Sequence, residues 1–134
     1  MGKLINGKWV IRSIITSDKL GAYDRLPRTF LDTISKHHER FKPESKRYHL
    51  YVSYACPWAT RTLIYRHLKG LDSHISVSVV HPDMLDNGWK FDTSFPGATK
   101  DHLYGKKFLR EIYQKADPTI TTCLLYTSDA ADEE

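Results

Sequence analysis

The sequence predicts an α/β fold built on one βαβ unit, and three observations predict it. His49-Leu50-Tyr51-Val52-Ser53 is a short run rich in β-branched and aromatic residues, free of Gly and Pro, as a buried strand requires. Residues 57–69 place Ala59, Leu63, Ile64 and Leu68 on one apolar helical face, with Pro57 at the first helical position and Gly70 at the stop. Ile75 to Val80 then alternates as a second strand. Strand, helix and strand at this spacing make a parallel βαβ unit, right-handed by default.

The flanking segments are read in chain order. Residues 1–46 form an N-terminal extension, or arm, that wraps the domain through a few aromatic anchors. Within it Lys8-Trp9-Val10-Ile11 is a short strand, Gly21 to Pro27 a loop, and Thr29 to His38 carries weak helical spacing through Phe30 and Ile34. Lys42 to Lys46 is a polar linker. After the βαβ unit, His81 to Asp101 lacks periodicity, yet holds Trp89, Phe91 and Phe95. An aromatic-rich loop of this length is ordered and serves a site. It leaves the carboxyl end of the second strand, the sheet edge at which open α/β sheets bind ligands and at which Cys56 also lies. A second helix is expected from Asp101, as N-cap, through Leu103, Phe108, Ile112 and Tyr113, until Asp117-Pro118 ends it.

Composition excludes more than it selects. No apolar run can span a membrane, and the first residues carry neither a secretory h-region nor a myristoylation signal. Two distant cysteines make no disulfide framework, so a cytoplasmic location is expected. The chain of 134 residues has a net charge of +4. All 20 basic residues precede residue 123, whereas four of the 16 acidic residues lie beyond it, leaving +8 upstream. Lys and Arg are scattered rather than clustered. That suits a solvated surface and a small anionic ligand better than nucleic acid.

Cys56 is the residue on which chemistry centres. It stands as N-cap of the helix that Pro57 opens, where free N–H groups and the helix dipole favour a negative atom. A thiol so placed is expected to be acidified, and the thiolate is the nucleophile. The competing reading is an inert, buried cysteine, the commoner fate of a lone Cys. Zinc is poorly supported: His49, His67, His74 and His81 lack paired ligand spacing, so no metal is expected. A Cys/His hydrolytic pair is open in principle, but nothing marks the base. Ala59 stands three residues after Cys56, so this is no dithiol centre. A lone reactive thiol needs an external partner, and glutathione, an abundant anionic tripeptide, fits a basic body.

Tyr48 to Ala59, with Cys56-Pro57-Trp58-Ala59 at its core, and then Arg61-Thr62-Leu63, resembles the active-site signature of glutathionyl-hydroquinone reductases, the xi class of the glutathione transferases. The resemblance extends through Leu68 to Leu71, Ile75 to Val80, Asn87-Gly88-Trp89, Phe95 to Thr99 and Ala116-Asp117-Pro118, about residues 1–120 in all. It implies a partial thioredoxin-like domain over residues 47–122, with Cys56 as the catalytic nucleophile. It also implies Pro57, Trp58 and Trp89 at bound glutathione, Trp89 packing on the tripeptide; the plainer reading of Trp89 is a hydrophobic plug. The implied substrates are glutathione and glutathionyl-hydroquinones, and intact members are implied to be homodimers. Thr60 departs from the pattern, since relatives usually carry His there. An omega-like thioltransferase and a non-catalytic glutathione-binding module are the alternatives. The cis-proline strand, the Glu-Ser loop and the C-terminal helical domain that the resemblance implies are absent. Residues 123–134 look like the translation of a sequencing adapter and are read as a non-native tail. This polypeptide is therefore expected to be a truncated product, marginally folded and inactive.

Overall fold

A computed structural model describes residues 2–11, 19–22 and 30–123. The loop reading of Tyr23 to Pro27, the start of the weak helical pattern at Thr29 and the tail after Cys123 lie outside the described residues. Two strands come first, β1 (Lys3–Ile5) and β2 (Lys8–Val10), then β3 (His49–Ser53), α1 (Pro57–Leu68), β4 (Ser76–Val80), α2 (Leu109–Ala116) and β5 (Thr122–Cys123).

The βαβ unit forms as expected. β3 and β4 are parallel, in register from His49 opposite Ser76 to Ser53 opposite Val80. Every residue of β3 is buried, because both of its faces are covered. Alternation of side chains divides them between two clusters. Leu50, Val52 and Val79 pack with Cys56 and Ala59, and with the half-buried Leu63, Ile75 and Val77, beneath α1. Tyr51 and Val80 belong to a second, larger cluster with Leu4, Trp89, Phe91, Leu109, Tyr113 and Ile120. Arg66 closes the α1–β4 connection: its guanidinium donates to the Ile75 carbonyl at 2.8 Å and pairs with Asp72.

Several details differ from expectation. The apolar face of α1 is only partly used. Ala59 is buried and Leu63 half-buried, but Ile64 is exposed and Leu68 is 73 % exposed. A two-stranded sheet is too narrow to cover a full helical face. The N-terminal strand has a partner the spacing did not announce: β1 and β2 form an antiparallel hairpin around Asn6-Gly7, both at positive φ. Asn-Gly is the dipeptide that two-residue hairpin turns demand. Gly7 donates to the Ile120 carbonyl, and a Cβ there would collide with the Pro118 carbonyl oxygen. β5 adds to the other side of β1, not to β3. Cys123, read as the first residue of a non-native tail, pairs through its backbone with Lys3. Residues 30–38 contain no helix. Instead Phe30 and Trp9 pack against the larger cluster.

The second helix begins at Leu109 with Phe108 as its N-cap, seven residues later than expected. Asp101 does accept backbone N–H groups, but those of a turn: Leu103 at 3.0 Å, Tyr104 at 3.2 Å and Lys106 at 2.9 Å. Gly105, at positive φ, then breaks the run. Glu111 opens α2 by accepting the N–H groups of Lys107 and Phe108.

The long loop is ordered by backbone pairing on both sides of Trp89-Lys90-Phe91. His81 donates to the Lys90 carbonyl, Phe91 to Lys107, and Leu109 to the Trp89 carbonyl. Farther on, the Thr99 N–H donates to the Val79 carbonyl and its hydroxyl accepts the Val79 N–H. These bonds shield one edge of β4. Among the described residues no strand pairs with the outer edge of β3.

Candidate active site

The chain leaves β3 through the turn Ser53-Tyr54-Ala55-Cys56. The Cys56 N–H donates to the Ser53 carbonyl at 3.0 Å, and the Ala55 N–H donates to the Ser53 hydroxyl at 3.2 Å. Cys56 then takes the N-cap position of α1 in extended geometry (φ −96°, ψ 115°), with Pro57 in the first turn. Its carbonyl accepts the first helical bond from the Thr60 N–H at 3.1 Å, and the Thr60 hydroxyl donates to the same oxygen at 3.2 Å. The residue that departs from the family pattern is thus spent on the backbone of Cys56.

Cys56 is only 5 % exposed. It lies against Leu50, Val52, Ala59 and Val79. Burial of this kind is what an inert core cysteine also shows. The difference is the position. Cys56 forms no side-chain cap hydrogen bond, contrary to the expectation that its sulfur would accept the first-turn N–H groups. Those donors remain available to whatever approaches the helix N-terminus.

Around this point the surface is aromatic. Tyr54 and Trp58, two residues before and two after Cys56, are both about half exposed, and the Arg61 guanidinium stacks 5.0 Å from the Trp58 ring centre. The long loop reaches this edge, but not through Trp89. It does so through Gly97, at φ +92°, where a Cβ would stand 3.1 Å from the Tyr54 ring. Trp89 is 6 % exposed and sits in the cluster on the opposite face of the sheet from Cys56. The structure therefore brings Pro57 and Trp58 to the cysteine and gives Trp89 a place in the core. Sequence reasoning missed Ser53 and Gly97. Their signals were available: a Ser opening a tight turn, and a Pro-Gly pair inside the loop.

A polar cluster closes the far end of that opposite face. His49 contacts the Ser76 hydroxyl at 2.6 Å and the Ser78 hydroxyl at 2.8 Å. His102 reaches Ser78 from the loop, and the Tyr51 hydroxyl donates to Asp101 at 2.9 Å. Burial, with a smaller contribution from nearby His102 and against the pull of Asp101, holds the His49 imidazole below its ordinary value. Burial alone would raise the Asp101 carboxyl. The N–H groups of Lys106, Leu103 and Tyr104 and the Tyr51 hydroxyl outweigh it and hold the carboxyl below its ordinary value. Among the described residues no group of three His, Cys, Asp or Glu is placed to hold a metal.

A parallel strand–helix–strand unit with a cysteine at the helix N-terminus fits part of a thioredoxin-like domain, and comparison with known proteins says which proteins share it. The chain is 50% identical over 125 residues to glutathionyl-hydroquinone reductase YqjG of Escherichia coli (strain K12), covering 88% of this chain and 38% of that protein. It is 52% identical over 102 residues to glutathione S-transferase omega-like 2 of Schizosaccharomyces pombe, covering 76% and 32%. Among solved structures, a xi-class glutathione transferase from Natrialba magadii superposes with a TM-score of 0.77 at 44% identity, over 90% of this chain and 35% of that one. The glutathione-bound structure of YqjG gives 0.66 at 51% identity, over 90% and 36%. No protein-family model matches the chain. By sequence and fold the chain is similar to part of the glutathionyl-hydroquinone reductases and xi-class glutathione transferases, and it spans about a third of the length of the curated relatives it matches.

Proposed function

We propose that this chain carries the nucleophile of a glutathione-dependent reductase of glutathionyl-hydroquinones. The observation that carries the reading is Cys56 as N-cap of α1, its sulfur free of any cap hydrogen bond and its backbone held at both N–H and carbonyl. Kinship with a protein named for this activity supports it. In the reaction the Cys56 thiolate attacks the sulfur of the glutathionyl-hydroquinone. The carbon–sulfur bond breaks, its electron pair goes to the ring, a proton replaces the sulfur, and hydroquinone leaves. Cys56 is left as a mixed disulfide with glutathione. A second glutathione thiolate attacks that disulfide, releasing glutathione disulfide and restoring the Cys56 thiolate. Pro57 and Trp58 flank the entering sulfur. Trp89 contributes from the core by holding the loop whose far end meets Tyr54.

Intact mass after incubation with glutathione disulfide tests the nucleophile. In a Cys123→Ser background, which removes the second thiol of the chain, one glutathione adduct is expected, and none once Cys56→Ser is added. In that background an unmodified chain, or an adduct that persists after Cys56→Ser, would sink the reading. The similarity to an omega-like transferase favours a second reading, general thioltransferase chemistry at the same cysteine. Faster turnover of a small mixed disulfide than of a glutathionyl-hydroquinone would select it.

A further inference from the structure

We propose that Ser53 is a positioning residue for Cys56, acting through both its carbonyl and its hydroxyl; the proposal rests on Cys56 being the nucleophile. Ser53 is the last residue of β3 and is buried. It faces the larger cluster by strand alternation, on the side of β3 where Tyr51 is anchored in that cluster. From that anchor it accepts two successive N–H groups of the turn, Ala55 at its hydroxyl and Cys56 at its carbonyl. A hydroxyl that captures the N–H two residues on makes a side-chain turn inside the backbone turn. Ala55 and Tyr54 are exposed, and Gly97 lies against the Tyr54 ring. The hydroxyl thus ties down the Ala55 N–H, one residue before Cys56, beside the Ser53 carbonyl that holds the Cys56 N–H. On the other side Thr60 fixes the Cys56 carbonyl twice. Cys56 is bracketed by its backbone, which leaves the sulfur without a cap bond and free to react.

Alanine at residue 53 keeps the carbonyl bond and removes the hydroxyl bond. Ser53→Ala is expected to slow disulfide exchange of Cys56 with glutathione disulfide about tenfold, the order of effect for a small misplacement of a reacting group. Ser53→Thr, which retains the hydroxyl, should restore most of the rate. Ile120→Val, which thins the larger cluster away from the turn, should lower the urea midpoint yet leave the exchange rate unchanged. Amide hydrogen exchange gives a reading that needs no variant: the Ala55 N–H should be protected in the parent despite the exposure of its side chain. An Ala55 amide exchanging at the rate of a free peptide overturns the proposal, whether or not Ser53→Ala folds. So does a folded Ser53→Ala chain that reacts at the parent rate. Failure of the parent chain to form any adduct overturns the proposed function instead, and the Ala55 protection still reports on the turn.

Discussion

The two faces of the β3–β4 sheet are covered in opposite ways. Under α1 the cover is thin: Ala59, Leu63 and Cys56 meet a few aliphatic residues of the strands, while Trp58, Ile64 and Leu68 face solvent. On the other face eight buried residues from several segments interlock, and a hydrogen-bonded cluster of His49, Ser76, Ser78, Asp101, Tyr51 and the exposed His102 closes one end. Cys56, the proposed nucleophile, lies on the thin side, yet its strand is fixed from the thick side. One face holds β3 in place, and the other presents the cysteine turn at its end.

Substitutions can break or sharpen that contrast. The largest effect should come from the thick face, where Trp89→Ala removes the largest side chain of the cluster and should cost about 3–5 kcal/mol by urea unfolding. A cost below about 1 kcal/mol would mean that Trp89 is not a core residue. Asp101→Ala should come next at about 2–3 kcal/mol, because three N–H groups and the Tyr51 hydroxyl lose a charged acceptor. Gly97→Ala should cost about 1–2 kcal/mol, since it adds a Cβ at φ +92° against the Tyr54 ring. Unlike the first two, it should also perturb Tyr54 fluorescence or ring chemical shifts.

Acidification probes the same face. His49 is held below its ordinary value of 6.5, so as pH falls the unfolded chain takes up that proton first. Stability should decline from about pH 6.5 downward until the folded-state value is passed. The decline should be shallower in His49→Gln, and an equal slope in both would remove His49 from the account. Asp101, held below 3.8, adds a further loss only at pH values under that figure. The smallest effect belongs to the thin face: Leu68→Ser should change stability by no more than about 0.5 kcal/mol. A larger cost would show that the outer side of α1 is covered in solution.

The βαβ unit was legible because each of its elements is local. Strand composition, helical spacing, Pro57 and Gly70 speak within a few residues of one another, and the structure has β3, α1 and β4 within one residue of their expected ends. The α2 boundary was not legible. Asp101 carries the signature of a helix cap, and only the Tyr51 hydroxyl and the tight turn before Gly105 show that its acceptors are used otherwise. Nor could periodicity assign Trp89. A tryptophan in a loop beside the Cys56 edge reads as a ligand platform until the pairing of its segment with His81, Lys107 and Leu109 turns it into the core.

By itself the sequence determined the placement of Cys56: a cysteine directly before a proline at a helix start, without a second thiol beside it, is a property of adjacent residues. The tertiary structure alone decided what surrounds it. Which loop residue reaches the Cys56 turn, which face buries Trp89, and that β1 takes β5 as a partner while β3, among the described residues, keeps an unpaired edge all depend on contacts between residues far apart in sequence. Such contacts are selected by shape and by the need to satisfy every buried N–H and C=O, and neither is written in any local pattern.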